Sequence, residues 1–433
     1  MTPGARLAAA IEIIADIETR RRPAGDALKD WGLSHRFAGS SDRAAIAGLV
    51  YDALRRRGSS AHIMGAETAR AIVLGMLRLE RTLDADAIGR LADGARFAPA
   101  PLTGEERTRL ETADLSNAPP WVMGDYPKWL DPYLARVFGD ERAGEAAALA
   151  SRAPLDLRVN TLKAELEKAA QALAHLEAAP TRWSPFGLRI KLGADAKNPA
   201  IHAEPAFIKG LVEVQDEGSQ LSALLTAARP GEQVIDVCAG AGGKTLALAA
   251  MMEDRGQVYA TDLDKRRLAP IHARLGRAGA HNVQVRTPRA QENLLADLEG
   301  RDDLVLIDAP CTGIGTWRRN PDAKWRVRPG ALEVRLEQQA ELLDRAANLV
   351  KVGGRIAYVT CSILAEENGD QVRAFLGRHA DFSPVPSPKV ADSLGERALV
   401  FRQAALMLEE GLLMTPHRTD TDGFYVAVLR RSA

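Results

Sequence analysis

From about residue 215 onward the chain alternates short apolar, β-type runs with helical segments: EQVIDV, GQVYATD, NVQVR, DLVLIDAP and GRIAYVTC. No other feature restricts the fold as strongly. Alternation of this kind is the pattern of a mostly parallel, doubly wound sheet with helices on its faces. Ligands of such sheets bind in the crevice outside the carboxyl ends of the strands. Cys238, Cys311 and Cys361, the three cysteines of the chain, all fall at those ends. A thiol there is either a small hydrophobe in a packed seat or a nucleophile aimed into the cleft.

Upstream, ARLAAAIEIIADIE and DRAAIAGLVYDALRRR carry apolar residues at three- and four-residue spacing and read as helices. Ser41-Asp42 offers an N-cap to the second of them, and AIVLGMLRLERTL supplies another apolar helix. Pro99, Pro101, Pro119 and Pro120 then break the pattern and mark a linker. The expected class is α/β, in three parts: a helical domain over 1–120, a small α+β connecting domain over 121–214 that contains LDLRVN and GLRIKLG, and a Rossmann-like domain over 215–433.

Three sparse cysteines form no disulfide framework, and no CxxC or Cys/His spacing suggests a metal. No run approaches the ~20 apolar residues of a membrane span. The N-terminal apolar stretch contains acids and lacks a cleavage-like site, unlike a secretory signal. A cytoplasmic monomer is expected. The formal net charge is zero, so nucleic-acid binding has to rest on local patches. Candidates are Arg20–Arg22, Arg55–Arg57, Arg266-Arg267, and Arg318-Arg319 with Arg326 and Arg328. Taken alone, each reads as a solvated helix face or loop rather than as a binding site.

The stretch VIDVCAGAGGKTLALAA runs strand, glycine-rich turn, helix, which lets a ligand approach the backbone closely. A dinucleotide fingerprint fails at Thr245, where its third glycine belongs. A phosphate-binding loop fails at Cys238, where its first glycine belongs. S-adenosylmethionine has no phosphate chain to cradle, and its ribose diol calls for a carboxylate at the end of the next strand. Asp262 occupies that place. The same diol rule serves NAD, and Asp262 could equally cap the following helix.

DAPCTG adds Asp308 and Cys311 after an apolar strand, beside the same crevice. Two thiols and an acid next to a methyl donor suit one chemistry well. The C5 carbon of cytosine is a poor nucleophile until a thiolate adds at C6, and an acid on N3 draws off the developing charge. The C5 proton must then leave and the thiol be eliminated, which gives the second thiol a use.

CAGAGGKT, DLDKRRL, LVLIDAPCTGIGTWRRNPDAKWR and YVTCSILAEEN, with LDLRVN and VQDEGSQ upstream and DGFYVAVL at the end, together resemble the Sun/Nop family of RNA cytosine-5 methyltransferases. The resemblance runs from roughly Leu155 to the C-terminus. The N-terminal helices resemble a NusB-like RNA-binding domain, and the combination points to the bacterial small-subunit rRNA methyltransferase B subgroup.

The resemblance implies S-adenosylmethionine as cofactor, rRNA as partner, Cys361 as nucleophile at C6 and Cys311 as the residue assisting release. It implies Asp308 and Lys244 beside base and cofactor. Cys238, Ala239, Gly240, Ala241, Gly242, Gly243, Asp262 and Arg267 would line the cofactor, and Arg158, Asn160, Arg318 and Arg319 would contact RNA. The alternatives are a tRNA substrate or a non-catalytic ribosome-assembly factor. Two departures from the family pattern stand out. Ala241 replaces the usual loop proline, and the third strand lacks its usual adenine-contacting aspartate: Thr287 or Arg289 stands near that place, with no acid before Glu292.

Overall fold

Thr2 caps the first helix, Pro3–Arg20, through a side-chain bond from the Ala5 N–H. Proline in the first turn suits a position whose N–H has no partner anyway. The second long helix, Ser40–Arg55, is capped at Gly39, two residues before the expected Ser41. Asp42 instead sits inside the first turn, reaches back to the Gly39 N–H and holds the N-terminal amine and Arg6. The computed structural model describes residues 1–193, 199–288 and 294–432.

Two compact units result. The first comprises Met1–Arg152, Gly193 and the remote segment Trp317–Arg328. Its core gathers Leu7, Ile13, Ile14, Ile46, Val50, Leu54, Ile72 and Leu74, all essentially buried. Each such side chain contributes roughly 1.5–3 kcal/mol through removal from water. The unit continues past the proline-rich stretch because Asp125 is drawn inside, accepting from the N–H and hydroxyl of Ser59 at 2.8 and 2.6 Å.

The remote segment is tied in by backbone-directed bonds. The Trp325 indole donates to Leu54 O at 2.7 Å, Arg55 to Arg318 O at 3.0 Å, and Lys324 to Arg55 O at 3.1 Å. The expected basic patches are largely neutralised within this unit. Arg22 pairs with Asp16 and Asp30, Arg56 with Glu80, and Arg57 with Glu18.

The second unit holds two sheets. The smaller is antiparallel, in the order β2-β3-β1-β4, from β1 (Leu155–Val159), β2 (Ala179–Pro180), β3 (Gly187–Ile190) and β4 (Val212–Val214). The larger is Rossmann-like. Five strands, β5 (Gln233–Asp236), β6 (Gln257–Ala260), β7 (Val283–Val285), β8 (Asp302–Asp308) and β9 (Val350–Thr360), run parallel in the order β7-β6-β5-β8-β9. Beyond β9 come antiparallel β13 (Phe424–Arg431), β12 (Leu412–Met414) and β11 (Leu406–Met407), with β10 (Phe382–Pro384) also pairing with β13. From β5 the chain goes out to β6 and β7, then returns to β8 on the other side. The switch point therefore lies between the ends of β5 and β8, where ligands of such sheets bind.

Candidate active site

Strand adjacency explains why residues fifty positions apart in sequence meet. β8 and β9 are parallel neighbours in which Asp308 faces Val359, and the Ala309 N–H donates to Val359 O at 2.8 Å. Both strands therefore end at the same level, and the turns that follow bring the Cys311 and Cys361 sulfurs to 3.3 Å. Both cysteines are free thiols and half-buried. The hydrogen bond to Cys361, then burial, pushes the Cys311 thiol well above its ordinary range. Cys311 therefore keeps its proton, beside the Cys361 sulfur.

Beside them, Lys244 donates to Asp308 Oδ2 at 2.7 Å. The Lys244 side chain is buried while Asp308 is one-third exposed, so this pair opens on one side. The ammonium also sits 4.9 Å from the centre of the Phe424 ring, a cation–π contact supplied by β13. Behind the pair, Thr245 donates to the fully buried Asp236 at 2.7 Å, and burial pushes that carboxyl up to about 7. Its other oxygen has no hydrogen-bond partner.

The glycine loop follows β5. Gly240 has φ +50° and its N–H donates to Asp262 Oδ2 at 3.0 Å, linking the ends of β5 and β6. Gly242 has φ +87°, and a Cβ there would lie 2.5 Å from the Ile271 side chain. Ala241 presents its carbonyl to Arg274 at 2.8 Å, an anchor independent of the missing proline. Ala239 is buried, Gly243 half-buried, and the exposed Arg267 borders Gly240. Burial raises the Cys238 thiol, with Asp236 next among the causes, so this sulfur stays protonated and unreactive.

Gly240 and Gly243 leave the loop backbone open to close approach, with the Asp262 carboxylate adjoining it. This arrangement fits a methyl donor with a ribose diol and an amino-acid moiety. Among the described residues no cluster of His, Cys, Asp or Glu could hold a metal ion.

The expected RNA contacts fare differently. Arg158 is buried, donates to Gln215 at 2.7 Å, and has its basicity lowered by burial to about 10. Asn160 is buried too, and its amide donates to Gly210 O at 2.9 Å and Ala278 O at 2.8 Å. It fastens the small sheet to the end of the helix Ile271–Ala278. Arg318 is buried within the helical unit. These three side chains are therefore corrected from surface contacts to interior ones; Arg158 and Asn160 serve a side-chain amide and two backbone carbonyls that local sequence does not reveal. Arg319 is half-buried. Thr287 is exposed, while Arg289 and Glu292 lie outside the described residues.

Residues that sequence reasoning passed over also matter here. Glu367, quoted within YVTCSILAEEN yet given no role, is fully buried behind the two thiols, as is Gln339. Phe424 was visible only as part of the closing strand.

A family model described as 16S rRNA methyltransferase RsmB/F matches residues 223–430, and one described as an RsmF/B-like ferredoxin-like domain matches 126–197. A probable ribosomal RNA small subunit methyltransferase B of Synechocystis is 33% identical over 71% of this chain and 67% of its own. A ribosomal RNA small subunit methyltransferase B of Vibrio vulnificus is 31% identical over 80% of this chain and 78% of its own. Other curated relatives are matched over about two-thirds of their length. Among solved structures, PH0851 is 27% identical with TM-score 0.73, covering 100% of this chain and 99% of that one.

Proposed function

Because the chain belongs to the 16S rRNA methyltransferase RsmB/F family, and so is an S-adenosylmethionine-dependent enzyme that methylates RNA, we propose that its target atom is C5 of a cytosine in small-subunit rRNA, reached through a covalent adduct at Cys361. The observation that carries this reading is the pair of thiols 3.3 Å apart beside the Lys244–Asp308 pair. When bound, the cofactor supplies an electrophilic methyl group on a sulfonium sulfur.

The Cys361 thiolate attacks C6, so a C6–S bond forms and the C5=C6 electron pair moves toward C5. A proton passed from Lys244 to Asp308, 2.7 Å away, lets that carboxyl donate to N3 and place the proton there as the charge develops. C5 then takes the methyl group, whose former bonding pair stays on the donor sulfur, and N3 returns its proton to Asp308. The C5 proton leaves to solvent water, its bonding pair re-forms C5=C6, and the C6–S bond breaks with its pair on Cys361. Cys311 assists that last step from 3.3 Å away. The loop Cys238–Gly243 lines the methionine portion of the cofactor, Asp262 holds its ribose, and Arg267 borders the site. A stacked base hides its C6 face, so the target cytosine enters flipped or single-stranded.

In the same reading, 1–120 is a NusB-like RNA-binding domain, 121–214 connects, 215–433 is catalytic, and the protein works as a cytoplasmic monomer. The test is bisulfite sequencing of rRNA and tRNA from a strain whose only copy carries Cys361→Ala, beside its parent. Loss of one protected cytosine in small-subunit rRNA is expected. Loss in tRNA instead would correct the substrate, and an unchanged map would overturn the reaction.

A further inference from the structure

Cys311 is gripped on both flanks by a buried polar knot that takes no part in the chemistry above. On one side, Gln339 donates to Pro310 O at 3.0 Å. On the other, the Thr312 N–H donates to Glu367 Oε1 at 2.8 Å and its hydroxyl donates to Glu367 Oε2 at 2.5 Å. Gln339 also donates to Glu367 Oε1 at 3.1 Å, which closes the knot. Glu367 and Gln339 are both at 0% exposure. A carboxylate with so many donors aimed at it is held in one place, because losing any of them leaves a buried polar group unpaired.

Glu367 belongs to the other thiol's turn. It lies six residues after Cys361 in the short helical turn Ala365–Glu367. That turn is locked in its own right. Tyr358 donates to Glu367 O at 2.7 Å, Thr360 donates to Asn368, and Asn368 donates to Ser362 O at 3.0 Å. The Gly315 N–H reaches back to Cys361 O at 2.9 Å. The Cys361 turn is thus held mainly by its own bonds, while the Cys311 turn, joined to it by backbone at Ala309 and Gly315, is fixed between those points by Glu367 and Gln339.

We propose that Glu367, with Gln339, is a positioning residue that sets the spacing of the two thiols and thereby controls release of the Cys361–cytosine adduct rather than its formation. The inference rests on the roles assigned to the two thiols. Formation needs only Cys361, the base and the methyl donor, none of which Glu367 touches. Release needs Cys311 in register with an adduct already fixed on Cys361. A misplacement of about 1 Å can cost as much as ~100-fold in a step that depends on placement.

The test follows covalent protein–RNA adduct by denaturing electrophoresis after mixing enzyme, substrate rRNA and S-adenosylmethionine. It compares the parent with Thr312→Val, Thr312→Ser, Glu367→Gln and Cys311→Ala, with melting temperature and its shift on cofactor addition read in parallel. Thr312→Val removes one bond to Glu367 without touching the buried charge, so it remains informative if Glu367→Gln fails to fold.

We expect Thr312→Val and Glu367→Gln to form adduct at close to the parental rate. Both should lose it about tenfold or more slowly, in the direction of Cys311→Ala. Thr312→Ser, which keeps the hydroxyl, should behave as the parent. Parental adduct decay in a folded, cofactor-binding Thr312→Val would overturn the proposal. So would a fall in formation and decay together with the melting temperature, which is what a merely structural role gives. Absence of adduct in Cys311→Ala would instead sink the assignment of the thiols on which the proposal stands.

Discussion

Individual side chains make the sharpest predictions. Cys361→Ala should abolish methyl transfer and adduct while keeping the melting shift that S-adenosylmethionine produces; Cys311→Ala should accumulate adduct that survives denaturation. A trapped band with Cys361→Ala would mean the thiols are reversed. Asp262→Ala should weaken cofactor binding at least tenfold, about 1.4 kcal/mol, with RNA affinity unchanged, as titration calorimetry and filter binding would show. Asp236 predicts a pH dependence. Its folded value of about 7 lies above the ordinary carboxylate value of ~3.9, so the native chain holds a proton that the unfolded chain has released. Stability from this group is therefore present at low pH and lost as pH rises from about 4 through 7. Asp236→Asn should flatten that part of a melting-temperature profile. The meetings of Cys311 with Cys361 and of Lys244 with Asp308 were legible because the strand ends restrict where those residues can lie. Arg158 and Asn160 are buried where surface contacts were expected, because an arginine or asparagine looks the same in sequence whether its partner is a phosphate or a distant carbonyl.

At the scale of elements, the close approaches are the vulnerable points. Gly242→Ala combines a left-handed backbone with a Cβ 2.5 Å from Ile271. It should cost about 1–3 kcal/mol and erase most of the cofactor-induced melting shift. Gly315 and Gly423 meet face to face, since a Cβ on Gly315 would lie 2.2 Å from Gly423 O. Gly315→Ala should therefore separate the turn after Cys311 from the start of β13, measurable as faster amide exchange at Phe424 and Tyr425. The parallel strands were readable from their apolar runs, because buried strands advertise themselves by composition. The placing of β13 beside β9 was not, since antiparallel pairing across sixty residues leaves no local trace. The cap of Ser40–Arg55 is Gly39, two residues before the expected Ser41, because Asp42 acts from within the turn, serving the N-terminus as well as the helix.

For the whole molecule, the telling feature is a unit assembled from distant parts of the chain. The segment Trp317–Arg328 is encoded within the catalytic half yet belongs to the helical unit, with Trp325 against its core. Trp325→Ala should lower the stability of that unit by about 1–3 kcal/mol, below a fully buried tryptophan because the ring is only half-buried. Amide exchange in the helix Ser40–Arg55 should rise accordingly. The basic residues of WRRNPDAKWR read as a binding surface because sequence shows their charge but not their destination. Discontinuity of this kind also has a timetable. The first 152 residues leave the ribosome early, but their last structural partner emerges only after the chain has grown past residue 316. At 5–20 residues per second that interval is roughly 8–33 s. Throughout it the seat for Trp325 stands open on the nascent chain, and completion of the amino-terminal half waits on translation of a loop of the methyltransferase sheet.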